Sequence, residues 1–276
     1  MLIVGILLLE FPILGLRWHL LISPLVRTHT WNTLNHYFLG IFLNNFTPAQ
    51  LGGDVYRYYV VKTEVLKRQE IVAALIQERL IGLVGFLLFF VLCLWGHIWL
   101  DLASGEYPSS SISLMGVGSV CIILIYIFAS RIMMISDKIS FLRKIPGFKI
   151  ARATMGSAFE WDDGLHFTFV LALSVAGGAI VWTMAVQAVA WQLGVEASIF
   201  VLGMTAIGAD LIRIAPISIQ GIGVREFSFA FFFALFGLSP EDGFVIGLVS
   251  YIALSLAMIL IGIVGKLLLL RVREEG

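Results

Sequence analysis

The 276-residue chain is poor in charge, nearly devoid of cysteine and lacks any metal-ligand spacing. Only 13% of its residues are charged, against about 25% in soluble domains, while 59% are hydrophobic and the mean hydropathy is +0.98. A water-soluble globule is excluded, and a bilayer is the solvent that fits. Lys plus Arg and Asp plus Glu are both 18, so the net charge is zero. That excludes a nucleic-acid binder acting through bulk positive charge. Cys93 and Cys121 are the only cysteines and both lie in apolar runs, which excludes a disulfide scaffold and a Cys-ligated zinc site. The five histidines have no metal-ligand spacing, and no P-loop, G-x-S-x-G or H-E-x-x-H pattern is present. No catalytic residue, metal or cofactor is therefore assigned.

What the chain has instead is long apolar runs. A spanning helix needs about 20 mostly apolar residues, and residues 1–22, 69–96, 111–130, 166–192 and 244–270 meet that requirement. The first run has no basic leader and carries Glu10 at its centre, with Arg17 and Arg27 following. It reads as a retained anchor with its N-terminus outside. Basic residues sort the connectors by the positive-inside rule. Arg131, Lys138, Arg143, Lys144, Lys149 and Arg152 lie in 131–165, Lys62, Lys67 and Arg68 in 62–69, and Lys266, Arg271 and Arg273 in the tail. These connectors and the C-terminus are expected to face the cytoplasm of a cell membrane. Connectors 97–110, 193–197 and 238–243 hold no Lys or Arg, only acids such as Asp101, Glu106, Glu196, Glu241 and Asp242, and should face outside.

Residues 31–61 and 198–237 are apolar but interrupted, by Pro48, Gly52 and Gly53 in one and by Pro216, Gly221 and Gly223 in the other. The first is flanked by basic connectors at both ends, and its length is too short for two crossings and a turn. It should be a re-entrant hairpin from inside. The second is flanked by connectors without Lys or Arg and should be a re-entrant hairpin from outside. Ordinary pairs of short, proline-kinked helices are the alternative. The expected fold is an all-α polytopic membrane protein with two inverted-topology repeats. Residues 1–96 would form the first repeat, 97–165 a linking span and basic amphipathic connector, and 166–276 the second repeat. Discontinuous helices in matching positions of two halves point to a midplane substrate site.

In each interruption an Arg follows the Pro by nine positions, Arg57 after Pro48 and Arg225 after Pro216 (57 − 48 and 225 − 216). Glycines free the backbone to turn and leave N–H groups for an anion at the start of the next half-helix. An Arg one turn on could fork onto the same phosphate. Ionisable groups at membrane depth cost at least about 2.5–3.5 kcal/mol and are functional candidates by default. They are Asp54, Arg57, Glu78, Arg79, Asp210, Arg213, Arg225 and Glu226, with Glu10 a weaker case. Glu78 lies about 13 Å into its helix and needs a partner. Asp54/Arg57 and Asp210/Arg213 are spaced to pair within one helix and could serve only to pin the hairpins. Asn45 and Gln220 join the candidate substrate ligands, although polar groups at the breaks also serve to satisfy freed backbone. The connector 131–165 alternates apolar and basic residues, as an interfacial helix or as topology-setting charge alone.

These residues together resemble the lysylphosphatidylglycerol synthase transmembrane-region family. They are Asn44-Asn45 with Pro48, Gly52-Gly53-Asp54-Val55 with Arg57, Glu78-Arg79 in the next span, and Gly221-Ile222-Gly223-Val224-Arg225-Glu226. The resemblance covers most of the chain. It implies a membrane unit that, in fused relatives, moves an aminoacylated phosphatidylglycerol between leaflets, and stand-alone relatives extend this to polyprenyl-phosphate and hopanoid lipids. No soluble transferase domain follows the last span, so lysyl transfer is not expected. The expectation is a flippase-like translocase whose partner is a phospholipid or polyprenyl-phosphate lipid. Its rivals are a proton-coupled transporter of a small anionic solute and a membrane accessory subunit of a cytosolic lipid-modifying enzyme. A homo-oligomer is compatible with all three.

Overall fold

The computed structural model describes residues 1–25, 29–47, 50–61, 68–104, 164–213 and 221–274. Among these there are helices and no strand. The linking span 111–130, nearly all of the basic connector 131–165, and Pro48, Pro216 and Gln220 lie outside the described residues.

Helix α1 (Leu2–Ile22) buries Ile3, Leu7, Phe11, Leu14, Trp18 and Leu21, a run spaced by three and four residues that forms one continuous face. Helices α2 (Thr30–Asn44) and α3 (Leu51–Val61) fold back on one another as a hairpin. Helix α4 (Arg68–Ser104) follows. After the undescribed stretch, α5 (Gly164–Leu173), a π-helical stretch (Ser174–Val181) and α6 (Trp182–Gln192) form one continuous rod. Helices α7 (Ile199–Ile212) and α8 (Val224–Leu235) make the second hairpin. Helix α9 (Pro240–Glu274) closes the chain. Local chemistry sets several of these starts. The Ser198 hydroxyl accepts from Val201 N–H at 3.2 Å, an N-cap. Ser239 accepts from Asp242 N–H ahead of Pro240, the position where a missing N–H costs nothing.

Four helical stretches are long and apolar enough to cross a bilayer: Leu2–Ile22, Glu70–Leu100, Leu165–Gln192 and Pro240–Leu270. They also present apolar faces outward. On α4, Leu88, Leu92, Trp95 and Trp99 are exposed, and on α9 Leu256, Leu260, Ile263 and Leu267 are exposed. Faces of this extent on both sides of the molecule would aggregate in water and are solvated by lipid.

The hairpins meet the long helices in a definite order. Along α9, Phe38 packs at Gly265 and Phe42 at Gly262, and the Asn45 amide donates to Ser255 C=O at 3.3 Å. From the other end, Phe233 packs at Gly243 and Phe229 at Gly247, and the Arg225 guanidinium lies 6.0 Å from the Tyr251 ring. The two hairpin tips thus approach the middle of α9 from its opposite ends. Helix α4 repeats the arrangement. Its Glu78 and Arg79 meet α3, whereas Gly203 of α7 packs against Cys93 and Phe89, and Phe200 packs at Gly96. Helix α1 runs antiparallel to the π-interrupted rod, with Ile13 and Leu14 at Gly177 and Arg17 at Ser174.

The geometry of the first turn differs from the sequence expectation. The chain reverses at Gln50, whose φ is 54°, while Gly52 and Gly53 belong to the first turn of α3. Gly53 serves close approach: a Cβ there would sit 2.6 Å from Gly40 C=O. In the second hairpin the expectation holds, since Gly221 and Gly223 have φ of 83° and 82°, a region open to glycine.

Candidate functional site

Four α3 and α4 side chains and one from α1 form a continuous ion-pair chain. Arg17 donates from Nη2 to Glu78 Oε1 at 2.9 Å and from Nη1 to Ser174 Oγ at 3.1 Å. Arg57 Nη1 donates to Glu78 Oε2 at 2.5 Å and its Nη2 to Asp54 Oδ1 at 2.6 Å. Arg79 Nε donates to Asp54 Oδ2 at 2.7 Å, and its Nη2 to Gln50 C=O at 3.2 Å. Glu78 therefore has the partner its depth demands, and it has a second one. Arg57 and Glu78 are almost completely buried, whereas the Arg79 side chain is 49% exposed. The order is Arg17, Glu78, Arg57, Asp54, Arg79, so each carboxylate sits between two guanidinium groups.

The second hairpin carries a smaller cluster. Arg213 Nε and Arg225 Nη2 both donate to Asp210 Oδ1 at 3.0 Å. Asp210 and Arg213 are i and i+3 on one helix end; Arg225 arrives from the start of α8 across the turn. Arg225 is 0% exposed, and its Nε and Nη1 have no hydrogen-bond partner among the described residues. Burying donors of a charged group without acceptors is costly, so this guanidinium is held short of its full complement. A Cβ at Gly221 would run into the Arg213 side chain, so the glycine makes room for that arginine as well as for the turn.

Each of the two principal arginines lies on an indole, Arg57 on Trp18 of α1 and Arg225 on Trp182 of α6. The Arg57 guanidinium is 4.4 Å from the Trp18 ring centroid and 5.1 Å from that of Tyr37. The Arg225 guanidinium is 5.0 Å from Trp182. Such contacts hold a planar cation at a fixed tilt and favour it by about 0.5–2 kcal/mol.

Both clusters open onto one cavity of about 450 Å³. Arg17, Arg57, Arg79, Arg213 and Arg225 line it, with Glu10, Asp54, Glu78 and Asp210. Five arginines against four carboxylates leave a formal excess of one positive charge (5 − 4) when all are ionised. Apolar walls come from α1, α4 and α9, including Phe11, Phe86, Leu254 and Met258. The cavity is suited to an anion with an apolar attachment.

Of the candidates drawn from the sequence, Arg57, Arg225, Asp54, Glu78 and Arg79 are brought together at this cavity, and Gly221 lines it. Asn45 is turned toward Ser255 of α9 and does not line it. Its neighbour Asn44 does. Glu226 is 3% exposed, packs beside Gly247 and is also absent from the lining. Pro48, Pro216 and Gln220 are outside the described residues. One expectation about the first hairpin is corrected. Gly52 N–H donates to Thr47 Oγ1 at 2.8 Å and Gly53 N–H to Asn44 Oδ1 at 2.7 Å. These amides are capped by the chain itself and are not free for a ligand.

Sequence reasoning missed Arg17, Ser174, Trp18 and Trp182. Arg17 does not flank the first span but lies inside α1 and is 8% exposed. Its signal was available, since a helix running to Ile22 places Arg17 more than a turn from its end. Ser174 begins the π-helical stretch, a local widening common at functional positions. Neither Trp18 nor Trp182 could be told from the other aromatic residues of the apolar runs.

No curated protein and no solved structure matches the chain. A family model described as the lysylphosphatidylglycerol synthase TM region matches residues 1–265 of the 276. That is nearly the whole length, and it includes every residue of the cavity. With four bilayer-length helices and the family match in agreement, the chain is a multi-pass integral membrane protein and belongs to the lysylphosphatidylglycerol synthase transmembrane-region family.

Proposed function

We propose that this protein is a flippase-like lipid translocase that carries a phosphate-bearing polar lipid between leaflets, with Arg57 and Arg225 as the phosphate ligands. The observation that carries the reading is Arg225. It is a fully buried cation with two nitrogens lacking acceptors among the described residues, at a cavity with an excess of arginine. A phosphodiester offers charge-assisted acceptors to these nitrogens, which lie on different edges of the guanidinium.

A lipid fits better than a free solute because of where the cavity reaches the surface. Among its charged lining residues Arg79, paired with Asp54, is half exposed. Immediately beside them Leu51, Val55 and Tyr59 form an exposed face of α3, spaced by four residues. A headgroup could enter past Arg79 while its acyl chains stay on that apolar face.

The approach of the hairpin tips along α9 from opposite ends supports the reading of both as re-entrant elements of two inverted repeats. The cross-packing of α2 on α9 and of α7 on α4 supports it too, because these are equivalent contacts under such a repeat. The ends of the molecule also fit one orientation. The connectors lacking Lys and Arg, between α6 and α7 and between α8 and α9, lie at one end, where His97 and Phe236 stack with ring centroids 5.6 Å apart. The α1 C-terminus lies at the other end with Leu21, Ile81 and Val170, where the basic connectors begin. This is the arrangement of a protein whose basic end faces the cytoplasm.

The test is translocation of a fluorescent phosphatidylglycerol in vesicles containing the purified chain. Leaflet exchange should be accelerated by the parent protein and should fall at least about tenfold for Arg57→Ala and Arg225→Ala, as expected when about 1.5–3 kcal/mol of charge-assisted hydrogen bonding is lost. Rates unaffected by either substitution would refute the site. Uptake of inorganic phosphate without any lipid exchange would replace the lipid with a soluble anion.

A further inference from the structure

Glu10 is the one charged cavity residue not placed in an ion pair above. It sits mid-way along α1 and lines the cavity that Arg225 lines. Its Oε2 is buried and has no hydrogen-bond partner among the described residues, as is true of Nε and Nη1 of Arg225. A carboxylate oxygen and two guanidinium nitrogens, without partners among the described residues, thus share one cavity without bonding to each other. The charges acting on Glu10 are Asp210 and Arg213 at the end of α7, Arg225 on α8 and Arg17 on its own helix; from α2 it faces Tyr37. Helices α3 and α4 add Asp54, Arg57, Glu78 and Arg79 to the same lining, and α9 adds only Leu254 and Met258.

Charge counting around Arg225 then constrains what a ligand can do. Arg213 and Arg225 balance Asp210 and Glu10 (2 − 2 = 0) while the cavity is without an anion. A phosphodiester on Arg225 would leave a net negative charge in a buried place, which is strongly disfavoured. The surplus positive charge of the other cluster does not compensate at Arg225, because it lies toward the outermost member, Arg79, which is half exposed. Counting the buried Glu226, which lies outside the lining, makes the local charge only more negative. Protonation of a carboxylate that meets the incoming anion restores neutrality, and Glu10 is the cavity carboxylate with no arginine hydrogen-bonded to it among the described residues.

We infer that Glu10 is the proton-exchanging partner of Arg225, so that an anion docking on that guanidinium is bound together with a proton taken from water onto the Glu10 carboxylate. This rests on the reading of the cavity as a phosphate site and adds to it a coupling ion. Because a proton is taken up on binding, affinity falls as pH rises, by up to about tenfold per pH unit where the coupling is complete. Glu10 is a neutralising residue here and needs no contact with the phosphate itself.

The experiment is calorimetric titration of the full-length protein in detergent with dihexanoyl phosphatidylglycerol and, separately, with inorganic phosphate. Running each in two buffers of different ionisation enthalpy yields the protons taken up per anion bound. At pH values high enough for Glu10 to be ionised in the free protein, the parent should take up close to a full proton equivalent, and its affinity should weaken with rising pH through that range. Glu10→Gln should bind without uptake and with a flat pH profile. Anion binding by the parent with neither uptake nor pH dependence overturns the inference and leaves the phosphate site standing. Uptake that survives in Glu10→Gln and disappears in Glu226→Gln overturns it as well. Failure of both probes to bind removes the inference together with the proposed site. The parent's own profile needs no variant, so a folding defect in Glu10→Gln cannot mask the result. Uptake with inorganic phosphate alone would assign the coupling to a soluble anion.

Discussion

Replacing Glu78 by Gln perturbs a buried carboxylate paired with two arginines while keeping its shape. Its two oxygens accept from Arg17 at 2.9 Å and from Arg57 at 2.5 Å, and the side chain is 4% exposed. A neutral amide keeps one acceptor and turns its NH₂ toward the other guanidinium, donor against donor. Arg17 retains Ser174 and Arg57 retains Asp54, so the arginines are not wholly stranded. Two hydrogen bonds to charged groups, each worth about 1.5–3 kcal/mol, are weakened, and a buried pair is broken from one side. The expected loss is about 3–5 kcal/mol. Arg17→Met alone should cost less, because Glu78 keeps Arg57. Combining the two removes both charges, and the Gln carbonyl can then serve Arg57 alone. The double variant should therefore be more stable than the sum of the singles predicts, by about 1–3 kcal/mol. Reversible unfolding in mixed micelles, followed by far-UV circular dichroism, measures all four proteins. Additivity within about 0.5 kcal/mol, or a Glu78→Gln protein as stable as the parent, would refute the network as an energetic unit.

Arg225→Met should leave stability within about 1 kcal/mol of the parent, because Asp210 keeps Arg213 and two buried donors without acceptors disappear; lipid exchange should nevertheless fall as for Arg225→Ala, and a large drop in unfolding midpoint would contradict this. Gly53→Val places its Cβ 2.6 Å from Gly40 C=O and 2.7 Å from Asn44 Oδ1, so the first hairpin should lose about 1–3 kcal/mol. Gly5→Val, with nothing within 4 Å of its Cβ, is the control, and equal midpoints for the two would count against the close α2–α3 packing. Sidedness is read by cysteine labelling in a background without Cys93 and Cys121. Positions Thr30 and Glu196, both exposed, should react with a membrane-impermeant reagent from opposite sides, and reaction of both from one side would contradict the proposed orientation.

The sequence by itself determined the class of solvent, the long apolar rods and the places where two segments fail to continue. Hydropathy and Pro/Gly position are local properties, so they can be read without a fold. The same holds for Asp54/Arg57 and Asp210/Arg213, whose pairing follows from three-residue spacing on a helix and recurs in the structure. Depth alone showed that Glu78 requires a partner. What tertiary structure decided was which partner, and which face of each rod looks inward. Arg17 reaches Glu78 across 61 residues because α1 packs with its charged face toward α4. Arg225 reaches Asp210 only because the second hairpin closes. Trp18 and Trp182 become the platforms of two arginines through the rotation of their helices, which the uniform apolarity of those runs does not encode. The capping of Gly52 and Gly53 by Thr47 and Asn44 likewise depends on how a turn closes in space. A one-dimensional pattern records that a charge is buried. Only the packed helices record what it is buried against.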